Sequence, residues 1–125
     1  MNLKILLLVG AGSFLGGIFR YLCSLPLQEK DPNGFPWWTL GVNLLGCLLM
    51  GLLFGFAERW NLPKEWKLFF AVGLLGGFTT FSAFSYETIA LLNSGQYTYA
   101  ISYVLSSVLL GLSATVLGLY AIRMF

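Results

Sequence analysis

Between positions 76 and 87 the chain reads Gly76-Gly77-Phe78-Thr79-Thr80-Phe81-Ser82-Ala83-Phe84-Ser85-Tyr86-Glu87, a dense polar run inside an otherwise apolar stretch. Five hydroxyl residues and one carboxylate fall within nine positions, more polarity than a lipid-facing surface carries. Phe81 and Phe84 are three apart and share a helical face, and Ser82 and Ser85 form an adjacent one. Thr39 and Asn43, four apart, share a face in an earlier apolar segment; Tyr103 with Ser107, and Ser102 with Ser106, repeat that spacing in a later one. Singly, each has an ordinary reading: phenylalanines pack, an intramembrane Asn joins helices, and serines bond their own backbone. Together they form a set of hydrogen-bond donors interleaved with aromatic ring edges, which carry positive quadrupole character. Cationic side chains are nearly absent from the apolar segments, Arg20 being the exception. Such a lining suits a small anion that accepts hydrogen bonds strongly, because conduction needs weak, multi-site binding rather than a charge that will not let go.

The elements that must hold these residues are apolar helices. The chain has 125 residues, 58% hydrophobic and 10% charged, against about a quarter charged in a soluble domain. Its mean hydropathy is +0.80. One bilayer span needs roughly 20 apolar residues, so the length accommodates four spans in a single transmembrane domain over 1–125, at about 3–25, 37–57, 66–92 and 97–124. The first, opening with Lys4 and an apolar run, is expected to be a retained helix rather than a cleaved signal. A Pro- and Gly-containing link over 28–34 reads as a turn, and Trp37-Trp38, Trp60 and Trp66 sit where interfacial aromatic belts belong. In the third span, paired glycines followed by two β-branched threonines make a poor continuous helix. A break at membrane depth is tolerated only when buried in protein or lining a cavity. Gly12 with Gly16, and Gly51 with Gly55, read as helix-packing pairs.

Composition also excludes chemistries. There is no histidine, so His relays, His metal sites and Ser–His triads are ruled out. Cys23 and Cys47 lack ligand spacing and read as small buried hydrophobes. A net charge of +2 gives no argument for nucleic acid, and no segment outside the spans is long enough for a soluble catalytic domain. The expected fold is an all-α protein integral to a cell membrane, and four helices are few for a pathway, so a partner subunit is expected.

The run from Gly76 to Ser85, with Asn43 in a Val-Asn-Leu-Leu-Gly context and an early Arg20, resembles the Fluc (CrcB) fluoride channel family, and the similarity covers essentially the whole chain. The resemblance implies an antiparallel, dual-topology homodimer with two parallel fluoride pathways and a third helix broken mid-membrane. It implies that Phe81 and Phe84 present ring edges to the ion, that Asn43 is the pore asparagine, and that Tyr103 and Ser107 flank the pathway, with Thr80 among its hydroxyl donors. Arg20, Ser82, Ser85, Glu87 and Thr39 remain open between a vestibule role and a structural one. It further implies a structural sodium ion on the two-fold axis, held by the backbone carbonyls of Gly76 and Thr79. Fluoride, lipid and a second copy of the chain are the expected partners, with no enzymatic activity. Lys4, Arg59, Lys64, Lys67 and Arg123 fall on the side of the termini, against Lys30 and Arg20, which favours cytoplasmic termini and sits against dual insertion.

Two other functions are compatible with four short helices. A small proton-coupled multidrug transporter needs an intramembrane carboxylate that alternates between proton and drug, and Glu87 is the deeply placed acid here. A non-transporting assembly subunit would use the same polar residues only to join helices.

Overall fold

The computed structural model describes residues 2–25 and 34–125, and these are helical, with no strand among them. The anticipated turn over 28–34 and the position of Lys30 lie almost wholly outside the described residues. Helix α1 (Leu3–Ser24) starts at Asn2, whose side chain accepts a hydrogen bond from the Lys4 N–H at 3.1 Å and caps the first turn. Helix α2 (Trp37–Arg59) follows Pro36. The third span, Lys64–Asn93, is assembled from pieces. Its first part, α3 (residues 64–78), opens as α-helix over Lys64–Lys67, widens into π-helix over Leu68–Leu75 and closes over Gly76–Phe78. Thr79 and Thr80 are extended (φ −80°, ψ 158° and φ −147°, ψ 114°), and α4 (Phe81–Asn93) then begins. Helix α5 (Tyr97–Arg123) completes the chain. All four spans are long and apolar enough to cross a membrane.

Two matching turns join the spans. After α2, Asn61 takes a left-handed conformation (φ 48°) and the Leu62 N–H returns to the Ala57 carbonyl at 3.2 Å; Pro63 then starts the next helix. After α4, Gly95 (φ 76°) plays the same part, with the Gln96 N–H on the Leu91 carbonyl at 2.9 Å. Both satisfy carbonyls that a helix end leaves open, and both need a residue tolerant of positive φ.

The helices pack as two close pairs. Between α2 and α5, a Cβ at Gly51 would stand 2.1 Å from the Thr115 carbonyl oxygen, so a side chain there is excluded. Between α1 and α3, backbone lies against backbone: Gly12 faces Gly73, Gly16 faces Leu74 and Phe78, and Gly77 faces Ser13. The buried core, Phe35, Leu40, Leu91, Ala100 and Tyr103, lies at one end of the bundle under Leu44 and Phe84. Most large apolar side chains of α1 and α5 face outward, as helices bathed in lipid do.

The glycine pair is not where the third span departs from the helix. Gly76 is helical (φ −64°, ψ −36°), and the two threonines carry the extended backbone. β-Branched side chains favour that conformation, while the glycines serve close approach: a Cβ at Gly77 would lie 2.6 Å from the Ser13 carbonyl oxygen.

Candidate functional site

The extended pair turns its backbone polar groups toward two neighbouring helices. Asn43, on α2, spans the Thr80 residue: its Nδ2 donates to the Thr80 carbonyl at 3.0 Å, and its Oδ1 accepts from the Thr80 N–H at 2.8 Å. Arg20, on α1, donates from Nη1 to the Thr79 carbonyl at 3.3 Å. The Thr79 hydroxyl donates back to the Leu75 carbonyl, and the Thr80 hydroxyl accepts from the Ala83 N–H at 3.2 Å, capping α4. The backbone N–H and carbonyl groups of the two extended residues are thus each paired.

Beside this junction lies a cavity of about 340 Å³, walled by Asn43, Thr79, Thr80, Phe81, Phe84 and Ser107 together with Gly46, Cys47, Met50, Val108 and Thr115. The Phe81 and Phe84 ring centroids are 5.5 Å apart with planes inclined by 48°. Phe84 is partly buried, whereas Phe81 is 80% exposed on the single chain. The Ser107 Oγ is buried and has no hydrogen-bond partner. Among the described residues it is the sole buried side-chain polar atom in that condition, and it belongs to the cavity wall.

Behind the ring pair is a closed polar cluster. Glu87 accepts from the Thr39 hydroxyl and from the Tyr103 hydroxyl, each at 2.6 Å, one on each carboxylate oxygen. Thr39 and Tyr103 are fully buried. The Tyr103 ring sits 5.1 Å from Phe84 and 5.6 Å from Phe35, centroid to centroid, so the cluster supports the inner phenylalanine from the rear. Tyr103→Phe keeps that ring packing and removes one donor from a half-buried carboxylate. It is expected to cost about 1–3 kcal/mol, seen as a lower thermal unfolding midpoint in detergent, with the Phe84 geometry and the elution volume retained.

The sequence-selected residues therefore fall into two groups. Asn43, Thr80, Phe81, Phe84 and Ser107 come together at one cavity, with Thr79 beside them. Tyr103, Thr39 and Glu87 come together one layer back, with the Tyr103 hydroxyl committed to Glu87. Arg20 is engaged with the Thr79 carbonyl, and Ser82 contacts the Thr80 hydroxyl at 3.3 Å while Ser85 faces outward. Both cysteines are free thiols, but neither is the buried hydrophobe expected: Cys23 faces out of the bundle and Cys47 is a cavity wall. The reason is that α1 is peripheral, with three buried residues along its length. Sequence reasoning missed Cys47, Met50 and Thr115; the signal was the i, i+4, i+7 spacing of Asn43, Cys47 and Met50 on α2, and Thr115 two helical turns beyond Ser107 on α5.

Four membrane-crossing helices, three of which wall a cavity carrying hydrogen-bond donors, define a small multi-pass membrane protein. The chain belongs to the family described as CrcB-like protein, Camphor Resistance (CrcB), whose model matches residues 7–119. It is 47% identical over 112 residues to a fluoride-specific ion channel FluC of Thermus thermophilus, covering 90% of each chain. It is 40% identical over 124 residues to fluoride-specific ion channel FluC 1 of Nitrobacter hamburgensis, covering 98% of each. A fluoride-specific ion channel FluC of Phocaeicola vulgatus is 39% identical over 118 residues, 94% of this chain and 98% of the relative.

Proposed function

We propose that this protein is a fluoride channel that lets cytoplasmic fluoride leave passively and so prevents its accumulation. Fluoride enters a cell as the neutral acid, ionises in the more alkaline cytoplasm and is trapped by its charge. A path for the anion, driven by its gradient and a negative-inside potential, needs no coupling step. The observation that carries this reading is the buried, partnerless Ser107 hydroxyl on the wall it shares with Asn43 and the Phe81–Phe84 pair. An unsatisfied donor in an apolar interior is costly unless something accepts from it, and a small anion that accepts hydrogen bonds strongly does.

The difficulty for such a path is removing water from a tightly hydrated ion. Asn43 spends one amide hydrogen on the Thr80 carbonyl and keeps the second, so it can hand an anion to the Ser107 hydroxyl and then to the ring edges. We read residues 79–80 as a break within the membrane, and the working unit as an antiparallel homodimer. The 80% exposure of Phe81 supports the second point, since one chain alone leaves that ring unenclosed.

A structural sodium ion at the axis would be held by the carbonyls of Gly76 and Thr79, and the donor chemistry fits. The Thr80 N–H, which a continuous helix would send to Gly76, goes to Asn43, leaving the Gly76 oxygen open to a hard cation. The Thr79 oxygen accepts one bond from Arg20 and keeps a second lone pair. Such an ion supplies fixed positive potential without a mobile cationic side chain.

The multidrug-transporter reading has less support. Its carboxylate must exchange partners, and both Glu87 oxygens are already taken by hydroxyl donors from two other helices.

The test is fluoride release from vesicles loaded with potassium fluoride, with valinomycin dissipating the charge. The expected result is rapid fluoride release with chloride retained; a drug transporter or an assembly subunit releases neither. Phe81→Ile and Phe84→Ile keep apolar volume but lose the ring edge. Each is expected to slow release by at least about tenfold, roughly 1.4 kcal/mol on the barrier, in a dimer of unchanged size. Wild-type rates in both variants would remove the ring edges from the mechanism.

A further inference from the structure

Most cations of this chain gather at one end of the bundle. Helices α1 and α3 run side by side in the same direction, with Gly12 against the Phe69 carbonyl and Gly16 against the Leu74 carbonyl. Helices α2 and α5 do the same, with Gly51 against Thr115 and Gly55 against Ile122. A short turn at Asn61 joins the end of α2 to the start of α3. The starts of α1 and α3 and the ends of α2 and α5 therefore share one membrane face. That face carries Lys4, Arg59, Lys64, Lys67 and Arg123 against Glu58 and Glu65, a net +3 in a chain whose total is +2.

The two arginines are spent inside the molecule. Arg123 pairs with Glu58 at 2.8 Å, and Arg59 donates to the carbonyls of Ile122 and Phe125 at the end of α5. The side chains of Lys4, Lys64 and Lys67 make no hydrogen bond or ion pair among the described residues, and Glu65 is the one acid left among them. Elsewhere in the described residues the one cation is Arg20, engaged with the Thr79 carbonyl. Aromatic rings mark the depth of the free lysines. Trp60 and Trp66 are 54% and 49% exposed at the same end, Trp60 under the Arg59 guanidinium and Trp66 stacked on Phe70. Exposed indoles of this kind sit at the level of lipid headgroups. Lys4 also heads a shallow apolar trough on α1, walled by Leu3, Leu7, Leu8 and Ala11.

We propose that this end of the bundle binds anionic phospholipid, with Lys4, Lys64 and Lys67 holding headgroup phosphates and the trough under Lys4 taking an acyl chain. Charge complementarity selects the headgroup. A zwitterionic lipid brings its own ammonium group, which unpaired lysines repel, whereas phosphatidylglycerol presents a phosphate alone. The tryptophans select a lipid over a water-soluble phosphate, because they set the lysines at headgroup depth rather than in bulk water. None of the three lysines lines the cavity, so the proposal stands apart from the fluoride-channel reading.

The test places the full chain in phosphatidylcholine bilayers with a trace of spin-labelled phosphatidylglycerol or spin-labelled phosphatidylcholine. Electron paramagnetic resonance reads the fraction of each label that the protein immobilises. A lysine near an anionic surface is worth about fivefold in binding, and an otherwise apolar perimeter dilutes this, so a phosphatidylglycerol preference of at least about twofold is expected. Lys4→Gln, Lys64→Gln and Lys67→Gln together should bring the ratio to that of the neutral lipid. Arginine at the same three positions should keep the preference, and so should Glu58→Gln with Arg123→Gln, which removes only the paired charges. Salt at about 1 M, where the screening length falls to about 3 Å, should erase it in the wild type. Equal association of the two lipids with the wild type, or a preference that survives in the glutamine variant, overturns the proposal. If the triple variant does not fold, the three single glutamine variants are read instead, and a ratio that none of them lowers is equally fatal. Glycerol phosphate at the concentration of the anionic lipid should change nothing; if it erases the preference, the ligand is a soluble phosphate and the lipid assignment falls.

Discussion

Asn43→Asp is expected to lower fluoride release by at least about a hundredfold, a barrier increase of roughly 2.7 kcal/mol, in a protein that still elutes at the wild-type volume. The carboxylate can keep the bond from the Thr80 N–H, which Asn43 accepts at 2.8 Å, but it has no hydrogen for the Thr80 carbonyl that Asn43 serves at 3.0 Å. Ionised, it also faces any anion in the cavity with like charge. Two unit charges ~4 Å apart at an effective dielectric of about 20 repel by about 4 kcal/mol, so the charge term outweighs the lost hydrogen bond. Asn43→Ala separates the two contributions. It removes both bonds to Thr80 and adds no charge, so it is expected to unfold at lower temperature than Asn43→Asp yet conduct better. If Asn43 only braces the bend, the order of conduction reverses and follows stability. Flux and thermal unfolding measured on the same preparations decide the matter.

That double pairing explains what could and could not be read from the residues alone. Span positions follow from local chemistry. Asn2, Pro63 and Gly95 punctuate the helices within one or two residues, and long apolar runs leave little alternative. The meeting of Asn43 with Thr80 joins residues 37 apart, and nothing in either neighbourhood announces it. The same is true of Glu87, whose oxygens are satisfied from α2 and α5 at once. In the sequence the paired glycines and the two threonines read together as the interruption, and the structure gives them separate parts. Adjacent glycines suggest flexibility, but inside this bundle they permit contact, and the bend falls on Thr79 and Thr80, where branching favours extended backbone and Asn43 compensates the lost helical bonds. Cys47 was legible as an apolar residue and not as a wall, because exposure to a cavity depends on the crossing of α2 and α5 rather than on sequence. The π-helical stretch Leu68–Leu75 had no counterpart in the sequence reading.

Gly16→Ala is expected to be the most damaging single methyl in α1, and Gly17→Ala, one residue on, to be harmless. A Cβ at Gly16 would stand 2.1 Å from the Leu74 carbonyl oxygen and 2.8 Å from the Phe78 amide nitrogen, both backbone atoms of α3. Neither can swing aside as a side-chain tip would, so α1 and α3 must separate. Overpacking of this kind costs about 1–3 kcal/mol in ordinary cores and more where backbone must move. Because Phe78 leads directly into Thr79, whose carbonyl Arg20 of α1 also holds, the displacement reaches the bend itself. Loss of thermal stability and loss of fluoride release are therefore expected together. At Gly17 the same methyl meets nothing within 4 Å of its own chain, so Gly17→Ala should unfold like the wild type. Wild-type stability in Gly16→Ala would mean that the two helices are not packed backbone to backbone. Gly76→Ala completes the series. Within the chain its Cβ touches only the Ala71 carbonyl oxygen at an ordinary 3.5 Å, so the single chain has room for it. A Gly76→Ala protein that folds but no longer conducts locates the missing contact outside the single chain.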